Sequence, residues 1–115
     1  MARKTLGKQG EEFALRYLTY YGYRIIERNF SCLLGEIDLI AWDKKTLVFI
    51  EVKTRRSLRF GPPEEAVTSM KQEKLRQVAS YYWQGLKKEV PCRFDVLALT
   101  VTGPKVEARL IKNAF

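Results

Sequence analysis

The stretch GEIDLIAWDKKTLVFIEVKTR, residues 35–55, carries Asp38, Glu51 and Lys53 inside two otherwise apolar runs. Such runs on either side of Lys44 and Lys45 read as antiparallel strands joined by a tight turn. With those lysines at the centre of the turn, Asp38 falls opposite Glu51 and Glu36 opposite Lys53. Facing residues have Cβ atoms only ~4.5–5.5 Å apart. Strand alternation puts Asp38, Glu51 and Lys53 on one face, and Ile37, Leu39, Val48, Ile50 and Val52 on the other. Two opposed carboxylates repel unless a cation lies between them. Their hard oxygens suit Mg²⁺ or Mn²⁺ better than zinc, and a neighbouring lysine would steady negative charge developing on a reacting group. The alternative is structural, with Glu51 and Lys53 a solvated salt bridge and Asp38 a charge that protects an edge strand from aggregation. Apolar residues on both faces, including Ile40, Trp42 and Phe49, argue instead that the hairpin is central.

Composition narrows the chemistry further. At 115 residues, 46% of them hydrophobic, the chain fits one domain, residues 1–115, around one core. Lys and Arg number 21 against 13 Asp and Glu, a net charge of +8 that favours polyanionic partners such as nucleic acid. Histidine is absent, so the commonest general base is missing and catalysis would use carboxylates, lysine, tyrosine or metal. Cys32 and Cys92 stand far apart outside any CxxC spacing, which argues against zinc and for two reduced thiols. No apolar run approaches the ~20 residues of a membrane span, and MARKTLGKQGEEF lacks the apolar centre of a signal peptide. The expected location is cytoplasmic, with no membrane association.

The elements that would position these residues follow the order αβββαββ. Apolar residues at 13, 14, 17, 18 and 21 make a helical stripe that Gly22 ends, and YRIIERNF (23–30) follows as a strand. The two charged strands span roughly 36–42 and 47–53. After the loop RSLRFGPP, Ser69 with Gln72 resembles a capping box for a helix running to about Gly85. Pro91 precedes RFDVLALTV, and TGPK turns the chain into VEARLI, a closing hairpin.

At Asp38, Glu51 and Lys53 the sequence resembles the YraN-like family of putative endonucleases. More widely it resembles the Asp…Glu-x-Lys motif of the PD-(D/E)XK, or restriction endonuclease-like, superfamily, which includes Holliday junction resolvases. The resemblance to YraN-like proteins covers nearly the whole chain, through GEEFALRYLTYYGYRIIERNF, FGPPEEAV, KQEKLRQVASYY and RFDVLAL. Ile37 stands where the superfamily motif has Pro before the aspartate, a Pro that many superfamily members also lack. The resemblance implies an α/β fold with an αβββαβ core, a mixed central sheet flanked by helices, here with an extra C-terminal strand. It implies that Asp38, Glu51 and the backbone carbonyl of Val52 hold Mg²⁺ (or Mn²⁺), and that Lys53 orients the attacking water or stabilises the pentavalent phosphate.

Resolvase-like members also use a carboxylate on the first helix. At 100° per residue Glu11 borders the stripe formed by Gly10, Ala14, Leu18 and Tyr21, whereas Glu12 points away, so Glu11 is the candidate. Its alternative role is a favourable charge at a helix N-terminus. Glu36 would support the site by holding Lys53, with a simple salt bridge equally open. Lys71 lies within the stripe of Leu75, Val78, Tyr82 and Leu86, an odd place for a charge unless it faces an anion or snorkels. Gln77 and Tyr81 match a QxxxY pattern by letters only, because both lie off that stripe. Arg55, Arg56 and Arg59 follow the Glu-x-Lys strand and would grip phosphates beside the site.

The expected function is therefore metal-dependent hydrolysis of phosphodiester bonds in DNA, including branched or damaged forms, with RNA and a homodimer left open. The competing class is a nucleic-acid- or partner-binding domain that keeps the nuclease fold without turnover.

Overall fold

The computed structural model describes residues 6–56 and 67–115. Seven elements appear in the expected order: α1 (Leu6–Tyr20), β1 (Arg24–Cys32), β2 (Gly35–Asp43), β3 (Thr46–Arg55), α2 (Ser69–Gly85), β4 (Cys92–Thr102) and β5 (Lys105–Ile111). The strands form one sheet in the order β1-β2-β3-β4-β5. All neighbours are antiparallel except β3 and β4. A parallel pair needs a long crossover, which the segment containing α2 supplies. The result is a mixed α/β fold consistent with a restriction endonuclease-like core. No helix among the described residues is long and apolar enough to cross a membrane.

Each helix covers one face of the sheet. Ala14 and Leu18 of α1 pack with Leu39, Ala41, Val48, Ile50, Leu97 and Leu99. Leu75, Val78 and Ala79 of α2 pack with Ile37, Ile40, Leu47, Phe49 and Val96. Helix α1 ends in a Schellman motif: Gly22 has φ +92°, its N–H donates to the Thr19 carbonyl, and the Tyr23 N–H donates to that of Leu18. Tyr23 and Leu18 then share one cluster. Helix α2 starts one residue away from the expected cap. Thr68, not Ser69, is the N-cap; its hydroxyl accepts from the Lys71 N–H at 3.3 Å, while the Gln72 amide donates to the Val67 carbonyl.

The hairpin of β2 and β3 pairs as expected from Leu39↔Ile50 to Asp43↔Thr46. Two details differ from strict alternation. Ile37 packs with Ile40 on the α2 face, not with Leu39 on the α1 face. The physical cause lies on β1, where Asn29 takes φ +52° between the pairs Arg28↔Leu39 and Phe30↔Ile37. A left-handed residue reverses the alternation on both strands, and Phe30 accordingly moves to the α2 face as well. The second difference is that the β2–β3 ladder stops at Leu39↔Ile50. Beyond it β2 stays paired to β1 as far as Cys32↔Gly35, and β3 stays paired to β4 as far as Arg55↔Thr100. The sheet thus forks. One tine is a two-stranded β1–β2 arm and the other is the end of β3 beside β4.

Candidate active site

Asp38 stands where the fork opens. Its Oδ2 accepts the Val52 N–H at 2.8 Å, so a carboxylate takes over where the backbone ladder ends. In a strand the N–H and C=O of one residue point to the same edge. The Val52 carbonyl therefore also points toward Asp38 and away from β4. Glu51 is the next residue back, on the α2 face with Phe49, and is only 7% exposed. Lys71, in the first turn of α2, reaches it from above with Nζ 3.4 Å from Oε2. The capping of α2 by Thr68 fixes that first turn, because the bonded N–H belongs to Lys71 itself.

Electrostatics couple these groups. Burial, followed by a hydrogen bond and charge repulsion from Asp38, pushes the Glu51 carboxyl up to about 8, although Lys71 and Lys53 pull the other way. Lys53 is lowered by burial, then by contact with the Lys71 ammonium. For Lys71 burial disfavours the charge, but contacts with Lys53, Glu51 and Asp38 outweigh it and the net shift is upward. Of the two lysines, Lys71 holds its proton more tightly and Lys53 less tightly than usual.

Asp38, Glu51, Lys53 and Lys71 thus come together, along with the Val52 backbone. The anion that the charge of Lys71 faces is Glu51, with Nζ 3.4 Å from Oε2. Glu36 does not stand beside Lys53. The ladder that would pair them has already ended, and Glu36 is exposed on the arm across from Ser31. Glu11 is half-buried on α1, next to Gly10, which lies against Thr54 of β3. Thr54 alternates with Lys53, so this approach is from the α1 face. Among the described residues no group of three or more His, Cys, Asp or Glu side chains could hold a metal, which leaves Asp38 and Glu51 as a two-carboxylate set. Arg55 is half-buried and Arg56 exposed at the end of β3; Arg59 lies outside the described residues. Gln77 and Tyr81 are exposed.

The donor set is all oxygen. It fits Mg²⁺ or Mn²⁺, which bind through one or two carboxylates and complete their shells with water and phosphate.

A second charged cluster lies on the reverse of the same strands. Asp95 of β4, paired with Ile50, is fully buried on the α1 face. It accepts from Arg93 Nε at 2.8 Å, from the Tyr23 hydroxyl at 3.0 Å and from the Asn113 N–H at 3.0 Å. Arg93 continues to Asp43 at 2.9 Å. Locally, Asp95 is marked only as a carboxylate within the apolar run RFDVLAL.

Comparison with known proteins agrees on one assignment. The sequence model of Uncharacterised protein family UPF0102 matches residues 10–99, a span that includes every residue of both charged clusters except Asn113. The chain is 49% identical over 118 residues to a UPF0102 protein of Caldicellulosiruptor saccharolyticus, covering 100% of each. It is 51% identical over 115 residues to one of Thermodesulfovibrio yellowstonii, covering 100% of this chain and 99% of the other. A relative from Symbiobacterium thermophilum is 52% identical over 118 residues, covering 100% and 98%. With the family match and full-length similarity in agreement, the chain belongs to the UPF0102 family.

Proposed function

We propose that the protein is a metal-dependent endonuclease that hydrolyses phosphodiester bonds in DNA, branched or damaged forms included. The observation that carries this reading is the pair Asp38 and Glu51, held against each other where the sheet forks, with two lysines beside them. Burying Glu51 beside a second carboxylate is costly unless a cation offsets it. Bound between these oxygens, Mg²⁺ or Mn²⁺ would supply Lewis-acid stabilisation of phosphoryl charge and a more acidic water.

The chain's own residues do the rest. The Val52 N–H fixes one Asp38 oxygen at 2.8 Å. Lys71 holds Glu51 in place. Lys53 lies two residues along the same face, where it orients the attacking water or steadies charge on the pentavalent phosphate. Arg55 and Arg56, just beyond, lie where flanking phosphates would pass.

One observation favours the alternative of a non-catalytic nucleic-acid- or partner-binding domain. Lys71 already pairs with Glu51, so the site is partly neutralised without metal. Calorimetric titration separates the readings: Mn²⁺ should bind the wild type and bind Asp38→Ala at least ~10-fold more weakly, a difference of ~1.4 kcal/mol. Equal affinities would rule out this metal site.

A further inference from the structure

The fork has a second feature that metal chemistry does not use. The arm of β1 and β2 is tipped by Leu33 and Leu34, which are 106% and 46% exposed. This tip is not a loose loop. Pairing runs to Cys32↔Gly35, leaving only the two leucines to make the turn. Gly35, at φ +142°, brings the arm against α2, where an added Cβ would lie 3.2 Å from Val78. Phe30 packs edge-on against Tyr82 of α2, with ring centroids 5.0 Å apart. The arm is thus braced along one side and offers two leucines to solvent at its end.

The two tines differ in chemistry. The β3 tine carries Lys53, Arg55 and Arg56 and suits phosphates. The arm carries exposed Glu36, which repels phosphate, and its tip offers a nucleic acid the apolar surface of Leu33 and Leu34. Apolar side chains presented to DNA next to basic residues insert between base steps and unstack them. We infer that the Leu33–Leu34 tip is a wedge that occupies a break in base stacking, at a nick or a branch point of duplex DNA, while the β3 tine holds the backbone at the metal site.

The inference rests on the nuclease reading for what happens at Asp38 and Glu51, but binding by the wedge does not require turnover. Its geometry also sets a spacing. From Asp38 to Leu34 the arm extends about 13 Å at ~3.3 Å per residue. At ~3.4 Å per nucleotide along one strand, the scissile bond falls roughly four nucleotides from the opened step.

The test uses the full chain and 2-aminopurine duplexes, one continuous and one nicked beside the probe, titrated in EDTA so that no strand is cut. The wild type should brighten the nicked probe and prefer that duplex by roughly tenfold, ~1.4 kcal/mol. Leu33→Ser/Leu34→Ser should lose both brightening and preference while binding the continuous duplex as before, with an unchanged melting temperature. A wild type without preference, or a double variant that retains it, overturns the wedge. So does a double variant that only converts a dimer to a monomer in sedimentation, since the tip would then contact a second copy. Adding Mg²⁺ to the same duplexes reads cleavage separately: absence of cleavage with intact brightening would contradict the nuclease reading and leave the wedge standing.

Discussion

Two faces of one strand pair carry the two buried charged side chains among the described residues, Glu51 and Asp95. They sit at successive levels, Asp95 beside Ile50 and Glu51 beside Val96, yet their surroundings are opposite. Asp95 is finished: Arg93, Tyr23 and the Asn113 backbone satisfy its oxygens, and Arg93 goes on to Asp43. Burial and the Asp95 charge push the Tyr23 hydroxyl up, so it stays a donor. Glu51 is unfinished. Its nearest anion is another carboxylate, its proton affinity is raised, and its cations are Lys71 at a helix terminus and Lys53 two residues along its strand. A buried charge with complete partners ties distant segments together, whereas one with a like-charged neighbour is poised to accept a cation.

Substitution should separate the two most sharply in stability. Asp95→Ala leaves the buried Tyr23 hydroxyl without its acceptor and half-buried Arg93 with Asp43 as its remaining carboxylate, and should lower unfolding free energy by ~1–3 kcal/mol. Urea denaturation measures this, and a loss below ~1 kcal/mol would remove the structural role assigned to the cluster.

Glu51→Gln should act in the opposite sense. The folded protein holds the Glu51 proton more tightly than the unfolded chain, with a value near 8 against 4.5. Its contribution is therefore fully present below pH 4.5, declines as pH rises through the window to about 8, and is flat above it. The loss is bounded by ~1.4 kcal/mol per unit of that window. In metal-free buffer, Glu51→Gln should flatten this decline and be at least as stable as wild type at pH 8, while Mn²⁺ should stabilise the wild type alone. Parallel pH profiles for the two proteins would show that Glu51 is as finished as Asp95.

A smaller effect is expected on α1. Glu11→Gln should lower the cleavage rate about tenfold, ~1.4 kcal/mol of barrier, and Glu12→Gln should not. Equal, small changes in single-turnover rates would confine the chemistry to the α2 face.

The sequence made the order of elements and the pairing of the central hairpin legible, because each apolar run keeps one period and Lys44–Lys45 sits between two of them. It also brought out Asp38, Glu51 and Lys53, since charges inside apolar strands are conspicuous. What it hid depends on backbone geometry or distance. The left-handed Asn29 reverses the alternation that placed Ile37 beside Leu39, and the fork separates Glu36 from Lys53 although their register numbers match. Thr68 displaces Ser69 as cap because either hydroxyl could serve and only the chain's entry angle decides. Asp95 meets Tyr23 across 72 residues of chain, a contact no local pattern encodes. Lys71 was detectable as a charge on an apolar stripe, but its partner Glu51 depends on how α2 lies over β3.

The central claim, that the cluster at the fork exists for phosphodiester chemistry and not for the fold, is tested most directly at Lys53. Cleavage of a DNA panel in Mg²⁺ should be measured for wild type and Lys53→Ala, alongside DNA affinity and thermal unfolding of both. The account predicts metal-dependent cleavage by the wild type that Lys53→Ala loses by at least ~10³-fold, ~4 kcal/mol, with affinity and melting temperature nearly unchanged. Undiminished cleavage by Lys53→Ala, or a large drop in its melting temperature, would contradict it.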